Sequence, residues 1–170
     1  MKHFIDTEFY DDGEKLHLIS IGVKSENGSS IYIESDFDID AVETKNKAQE
    51  LNIGWLKANV VPHLSGNKNS KESIREGLLY YFNKNKDSSN HEFWLYYGAW
   101  DWILFVRAIS EDGMMMGIPR GFNLYYNEIM QLGKDKVKDA SLALGNWENA
   151  HDALADAEYQ KAMYDYIVSH

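Results

Sequence analysis

From Phe4 to Phe9 the chain reads Phe-Ile-Asp-Thr-Glu-Phe, residues that favour extended backbone, and a turn at Asp11-Asp12-Gly13 closes the run. Side chains on a strand alternate faces, so Asp6 and Glu8 share one face while Ile5, Thr7 and Phe9 share the other. Leu16 to Val23 is a second strand, apolar enough on both faces to lie inside a sheet. Asn27-Gly28 marks a hairpin turn and Ser30 to Glu34 a third strand, so the chain opens as an antiparallel meander. Asp40 to Leu64 reads as helix, interrupted near Asn52 to Gly54 and turning at Pro62, and Ser65 to Ser70 as a loop. Ser70 is placed to cap a helix from Lys71 to Asn83, where Ile74, Leu78, Leu79, Tyr81 and Phe82 fall at helical spacing.

After an exposed polar run from Lys84 to Asn90, Glu92 to Trp100 is the most aromatic strand candidate and belongs in the middle of the sheet. A helix follows from Trp102 to Ile109, then an irregular stretch from Met114 to Asn123 marked by Gly117, Pro119 and Gly121. Leu124 to Met130 fits a short strand or a helix, and Asp135 to Gly145 is mixed. A final helix from about Asp152 to Val168 presents Ala155, Tyr159, Ala162, Met163, Tyr166 and Ile167 on one side. This order predicts an α/β fold, a mixed sheet flanked by helices, and no repeat, low-complexity tract or linker divides residues 1–170 into more than one domain.

Composition narrows the function. A chain of 170 residues, 44% hydrophobic with two prolines, is long enough to bury a core. No run approaches the roughly 20 apolar residues of a membrane span, and Met1-Lys2-His3-Phe4 enters the first strand without an export signal. The absence of cysteine removes disulfide frameworks and thiolate zinc sites and fits a reducing cytoplasm. A net charge of −10 argues against gripping long duplex electrostatically, but it permits a site that holds the end of a strand.

Two acids side by side on one strand face repel each other and lose water if buried, which leaves two readings: a cation between them, or a solvated acidic edge. Asp101 ends a buried strand and opens a helix, so it is either an N-cap or a site residue at the strand end. His151 and Asp156 would lie about 140° apart on a continuous helix. With Asp152 as N-cap, the imidazole instead stays on the entering loop and Asp156 projects from the first turns.

Taken together, Asp6-x-Glu8, Asp101 and His151-x-x-x-x-Asp156 resemble the DEDDh 3′–5′ exonucleases of the ribonuclease-H-like superfamily. Asp6-Thr7-Glu8-Phe9, followed by Leu18-Ile19-Ser20-Ile21-Gly22-Val23 in a chain ending soon after Asp156, looks most like the polyadenylate-specific exoribonuclease AS type. The resemblance implies a ribonuclease-H-like sheet and metal-dependent hydrolysis from a free 3′ end, releasing 5′-mononucleotides. It implies two Mg²⁺ or Mn²⁺ ions held by Asp6, Glu8, Asp101 and Asp156, with Asp6 bridging, Glu8 and Asp156 completing one site and Asp101 supporting the other. His151 would be the general base, not a ligand, a role that suits a side chain titrating near neutrality. Two divalent ions roughly 3.5–4 Å apart can clamp both the attacking and the leaving oxygen, and an all-oxygen set fits magnesium or manganese better than zinc.

The implied partner is the 3′ end of a single-stranded nucleic acid, RNA ahead of DNA; a homodimer is left open. Phe9, Trp102 and Arg120 are candidates for substrate contact, with Tyr10 and Trp100 also near the acids in sequence. Met114 to Met116 reads as a plug on the core, and His3, His17, His63, His91 and His170 show no ligand spacing. A DNA exonuclease or proofreading-type domain is the nearest alternative. An inactive binding module is disfavoured by the intact five residues, and an aspartyl-nucleophile phosphatase would want a second aspartate in place of Glu8.

Overall fold

β1 (Lys2–Asp11), β2 (Leu16–Ser25) and β3 (Ser30–Ser35) form the antiparallel meander, with Ile5 opposite Val23 and Ile21 opposite Ile33. The turn between β2 and β3 uses Gly28 at φ +91°, a conformation that costs glycine little. The computed structural model describes residues 1–85, 90–145, 147 and 149–170, so most of the predicted loop after Lys84 lies outside the described residues. Four further strands and helices extend the sheet and begin to cover it: α1 (Lys47–Asn59), β4 (Lys68–Asn69), α2 (Lys71–Lys84) and β5 (His91–Leu95). α3 (Ala99–Ile109), β6 (Phe122–Glu128), α4 (Lys134–Leu144) and α5 (Ala153–Ser169) complete the order. The sheet runs β4-β3-β2-β1-β5-β6, with β5 parallel to both β1 and β6, and is mixed as expected.

Alternation along β1 divides the core. Ile5 joins Ile21, Val23 and Phe93 beneath Leu78 and Phe82 of α2 and Phe105 of α3. Phe4 faces the other way, onto Val137 and Ala140 of α4 and Met163 and Ile167 of α5. Tyr10 and Ile19 pack on Ile53 and Leu56 of α1. Each large side chain so buried contributes roughly 1.5–3 kcal/mol. By the same alternation Asp6 and Glu8 lie on the Phe4 side, under α5. Just past Glu8 the register slips from Glu8 opposite Ser20 to Phe9 opposite Leu18, so β2 carries an extra residue, Ile19. Such a bulge bends the strand and re-aims neighbouring side chains.

Several boundaries differ from the sequence expectations. The helix expected from Asp40 begins only at Lys47, where Asn46 accepts from the Gln49 N–H and Gln49 Oε1 accepts from the Lys45 N–H at 2.7 Å. It runs uninterrupted through Gly54, which is exposed and has open space about it. Pro62 follows in a 3₁₀ turn. Ser70 does cap α2, accepting from the Ser73 N–H. β5 stops at Leu95, because Tyr97 at φ +55° turns the chain out of the sheet and Glu128 of β6 accepts from the Tyr97 and Gly98 N–H groups at 3.0 and 3.2 Å. The cap of α3 is therefore Gly98, and Asp101 is the third helical residue, not an N-cap.

The stretch from Leu124 divides between the edge strand β6 and a 3₁₀ turn at Ile129–Leu132, and the mixed stretch from Asp135 is helix α4, which buries Val137 and Ala140. Met114, Met115 and Met116 are exposed and do not plug the core. The buried stripe of α5 is Ala153, Asp156, Ala157, Gln160, Met163 and Ile167, rotated from the apolar stripe read in the sequence. Among the described residues no helix is long and apolar enough to cross a membrane.

Candidate active site

The site forms where the head of α5 presses on β1 and β2. Gly22 is the register partner of Asp6, and a β-carbon there would collide with the Ala153 carbonyl group and the Leu154 nitrogen. Only glycine lets the first turn of α5 come this close. Asp152 caps that turn, accepting from the Leu154 and Ala155 N–H groups at 2.9 and 3.0 Å. This is the cap read from the sequence, and it leaves His151 on the entering loop at φ +73°, a left-handed conformation uncommon outside glycine and asparagine. The His151 N–H donates to Asp156 Oδ2 at 3.3 Å, tying the loop to the helix.

Glu8 and Asp156 are each 8% exposed. With His151 they offer one ligand atom apiece, all within 4.8 Å of one another. Asp6 lies beside them, its Oδ1 accepting from Gln160 Nε2 at 2.9 Å. Asp101 reaches across from α3, where its Oδ1 accepts from both the backbone N–H and the hydroxyl of Thr7 at 2.9 and 2.6 Å. Trp55 of α1, 44% exposed, meets the His151 ring edge-to-face at a centroid separation of 4.7 Å.

The electrostatics are those of an acidic site short of positive charge. Burial, reinforced by Asp156 and Asp101, pushes Glu8 up to about 8. Burial raises Asp156 to about 7 against the opposing pull of the His151 N–H, with lesser help from the charges of Asp152 and Asp101. Asp6 is raised well above the ordinary carboxylate range by burial and by Asp101, Asp156 and Glu8. Asp101 is raised by burial against the opposing pull of its Thr7 hydrogen bonds. Buried carboxylates cost several kcal/mol each when ionised and unpaired. Asp156 Oδ1 is buried with no hydrogen-bond partner among the described residues. An orphaned acceptor, converging acids and an oxygen-rich donor set fit a hard divalent cation.

The five predicted residues thus come together from β1, α3 and the head of α5. The three substrate candidates are placed differently: Phe9 is half-buried and Arg120 exposed, whereas Trp102 is 6% exposed and packs on Phe93, Phe105 and Tyr126. Of the other aromatic candidates, Trp100 is exposed and Tyr10 is in the core. Thr7, Gly22, Trp55 and Gln160 are site neighbours that the sequence reading missed. The signal was present for Gln160, a polar residue one helical turn beyond Asp156.

A family model described as the 3′–5′ exoribonuclease Rv2179c-like domain matches residues 1–168. The 3′–5′ exoribonuclease Rv2179c of Mycobacterium tuberculosis (strain ATCC 25618 / H37Rv) is 29% identical over 174 residues, spanning 99% of this chain and 94% of that protein. The 3′–5′ exoribonuclease MT2234.1 of strain CDC 1551 / Oshkosh is 29% identical over the same span. In fold, the RNase domain of the yeast Pop2 protein is similar with a TM-score of 0.63 at 15% identity, over 99% of this chain and 75% of that one, which identifies the sheet as ribonuclease-H-like. The chain belongs to the Rv2179c-like 3′–5′ exoribonuclease domain family.

Proposed function

We propose that this chain is a DEDDh-type exoribonuclease that removes 5′-mononucleotides from the 3′ end of single-stranded RNA, with residues 1–170 acting as one catalytic domain. The observation that carries this reading is the convergence of Glu8, His151 and Asp156 within 4.8 Å beside Asp6 and Asp101. Asp6, Glu8, Asp101 and Asp156 would hold two magnesium or manganese ions. Bound there, the ions supply positive charge against the negative charge that builds on the attacking and leaving oxygens of the phosphodiester.

The chain's own groups divide the remaining work. His151, half-buried on the loop entering α5, would take the proton from the attacking water as its oxygen bonds to phosphorus. The phosphorus–O3′ bond then breaks and the leaving O3′ takes up a proton from solvent water, giving a shortened strand with a 3′-hydroxyl and a free 5′-mononucleotide. Thr7 holds Asp101 by one oxygen, and the His151 N–H holds Asp156 by one oxygen. Trp55 limits the swing of the imidazole from the side. Phe9, half-buried on β1, and Arg120, exposed ahead of β6, are the proposed contacts to the strand.

The test is a single-turnover digest in manganese of RNA and DNA of one sequence, the linear strands labelled at the 5′ end to follow shortening, and linear and circular strands labelled within the chain to follow products. Linear RNA should shorten stepwise from its 3′ end and yield 5′-mononucleotides, while the circle survives. A circle cut as fast as the linear strand would make the enzyme an endonuclease, and faster digestion of DNA would move the substrate to DNA.

A further inference from the structure

Gln160 is 2% exposed on the stripe of α5 that, Asp156 aside, turns Ala153, Ala157, Met163 and Ile167 toward the sheet and core. Its Nε2 donates to Asp6 Oδ1, while its Oε1 is buried with no hydrogen-bond partner among the described residues. An unsatisfied buried acceptor costs about 1–3 kcal/mol, so an apolar side chain would serve packing better at this position. The amide must then be present for what its N–H group does. Among the described residues Gln160 is the one hydrogen-bond donor to the Asp6 carboxylate.

Each of three acids is gripped by a single oxygen: Asp101 through Oδ1 by Thr7, Asp156 through Oδ2 by His151, and Asp6 through Oδ1 by Gln160. The opposite oxygen of each is left to other partners. A neutral amide suits this task. A lysine or arginine would neutralise Asp6 and compete with cations for it, and a glutamate would add another like charge.

We propose that Gln160 is the positioning residue of Asp6, fixing its carboxylate by Oδ1 and leaving Oδ2 for a cation that Asp6 would hold. The inference rests on Asp6 being a metal ligand, as under Proposed function. Outer partners that orient a ligand typically hold 10–100-fold in metal affinity.

Calorimetric titration of manganese into the metal-free protein reads this directly. Gln160→Met keeps the length and packing of the side chain and removes the donor. It should weaken manganese binding by roughly 10–100-fold while the metal-free melting temperature stays close to that of the native protein, since an orphaned acceptor goes with the amide. A merely structural glutamine would do the reverse, lowering the melting temperature and sparing manganese affinity, and that result overturns the inference. Asp6→Ala is the reference. If it binds manganese as the native protein does, Asp6 is no ligand and the functional reading fails first; if it loses binding while Gln160→Met does not, only the role of Gln160 fails. Gln160→Asn, which keeps the amide and withdraws its reach, carries the test if the Met variant melts too low, with the same loss expected. Should both variants lack a fold even in saturating manganese, Gln160 is structural and the proposal falls.

Discussion

Gly22 of β2 and Ala153 of α5 touch backbone to backbone, with no room between them for a β-carbon. Because Gly22 is the register partner of Asp6, this contact sets how closely Asp156 and Gln160 descend on β1. The glycine is part of the site, although it bears no functional group.

Gly22→Ala should therefore push α5 from the sheet, destabilise the fold by about 1–3 kcal/mol as overpacking does, and lower turnover well beyond what lost stability explains. Gly54→Ala supplies the contrast. Its added methyl meets open space on the exposed side of α1, and replacing a helix-interior glycine should stabilise by about 0.4–1 kcal/mol with activity unaltered. Thermal melts and single-turnover rates of the two variants check both. A fully active Gly22→Ala protein would show that the close approach of α5 does not set the site.

Metal-free protein should lose stability as pH rises from about 5 to about 8. Burial and neighbouring charge lift Glu8 to about 8 and Asp156 to about 7, whereas unfolded carboxyl groups titrate near about 4. Below that value both states are protonated and no penalty exists. Between the two limits the folded chain retains protons that the unfolded chain has released, so each step up in pH favours unfolding. Manganese should flatten this slope by standing in for the protons. Melts in chelator and in manganese at several pH values decide it, and a melting temperature that climbs with pH in chelator would contradict the electrostatics of the site.

His151 lies close enough to Glu8 and Asp156 to be either a ligand or the base. As the base, His151→Ala should cut turnover by roughly 10²–10⁴, leave manganese affinity nearly unaltered, and flatten the acid limb of the rate profile, because no imidazolium remains to block the reaction. Asp101→Ala should weaken manganese binding as well as turnover. Equal loss of manganese binding in the two variants would make His151 a ligand.

The antiparallel meander was legible because Ile5, Ile21, Val23 and Ile33 mark strands by type and spacing. The five candidate residues were picked out as a set by their resemblance to the DEDDh pattern, and their convergence agrees with strand alternation, which puts Asp6 and Glu8 on one face, and with the Asp152 cap, which leaves His151 off the helix. What stayed hidden depended on contacts distant in the chain. The β5 boundary is set by Glu128, whose carboxylate captures the Tyr97 and Gly98 N–H groups from a strand roughly 30 residues later. The stripe of α5 was misread because the site puts Asp156 and Gln160 at buried positions, where hydrophobic periodicity expects apolar residues. α4 escaped notice because its buried face is little more than Val137 and Ala140.

The reading of the acids as metal ligands is tested most directly by single-turnover hydrolysis of 5′-labelled RNA in manganese by native protein, Asp6→Ala and Asp156→Ala, with metal-free melts of the same preparations. Removing either acid removes a ligand and relieves repulsion within the site. Both variants should be inactive, with metal-free melting temperatures equal to or slightly above that of the native protein. Turnover near the native rate in either well-folded variant would contradict catalysis at this site.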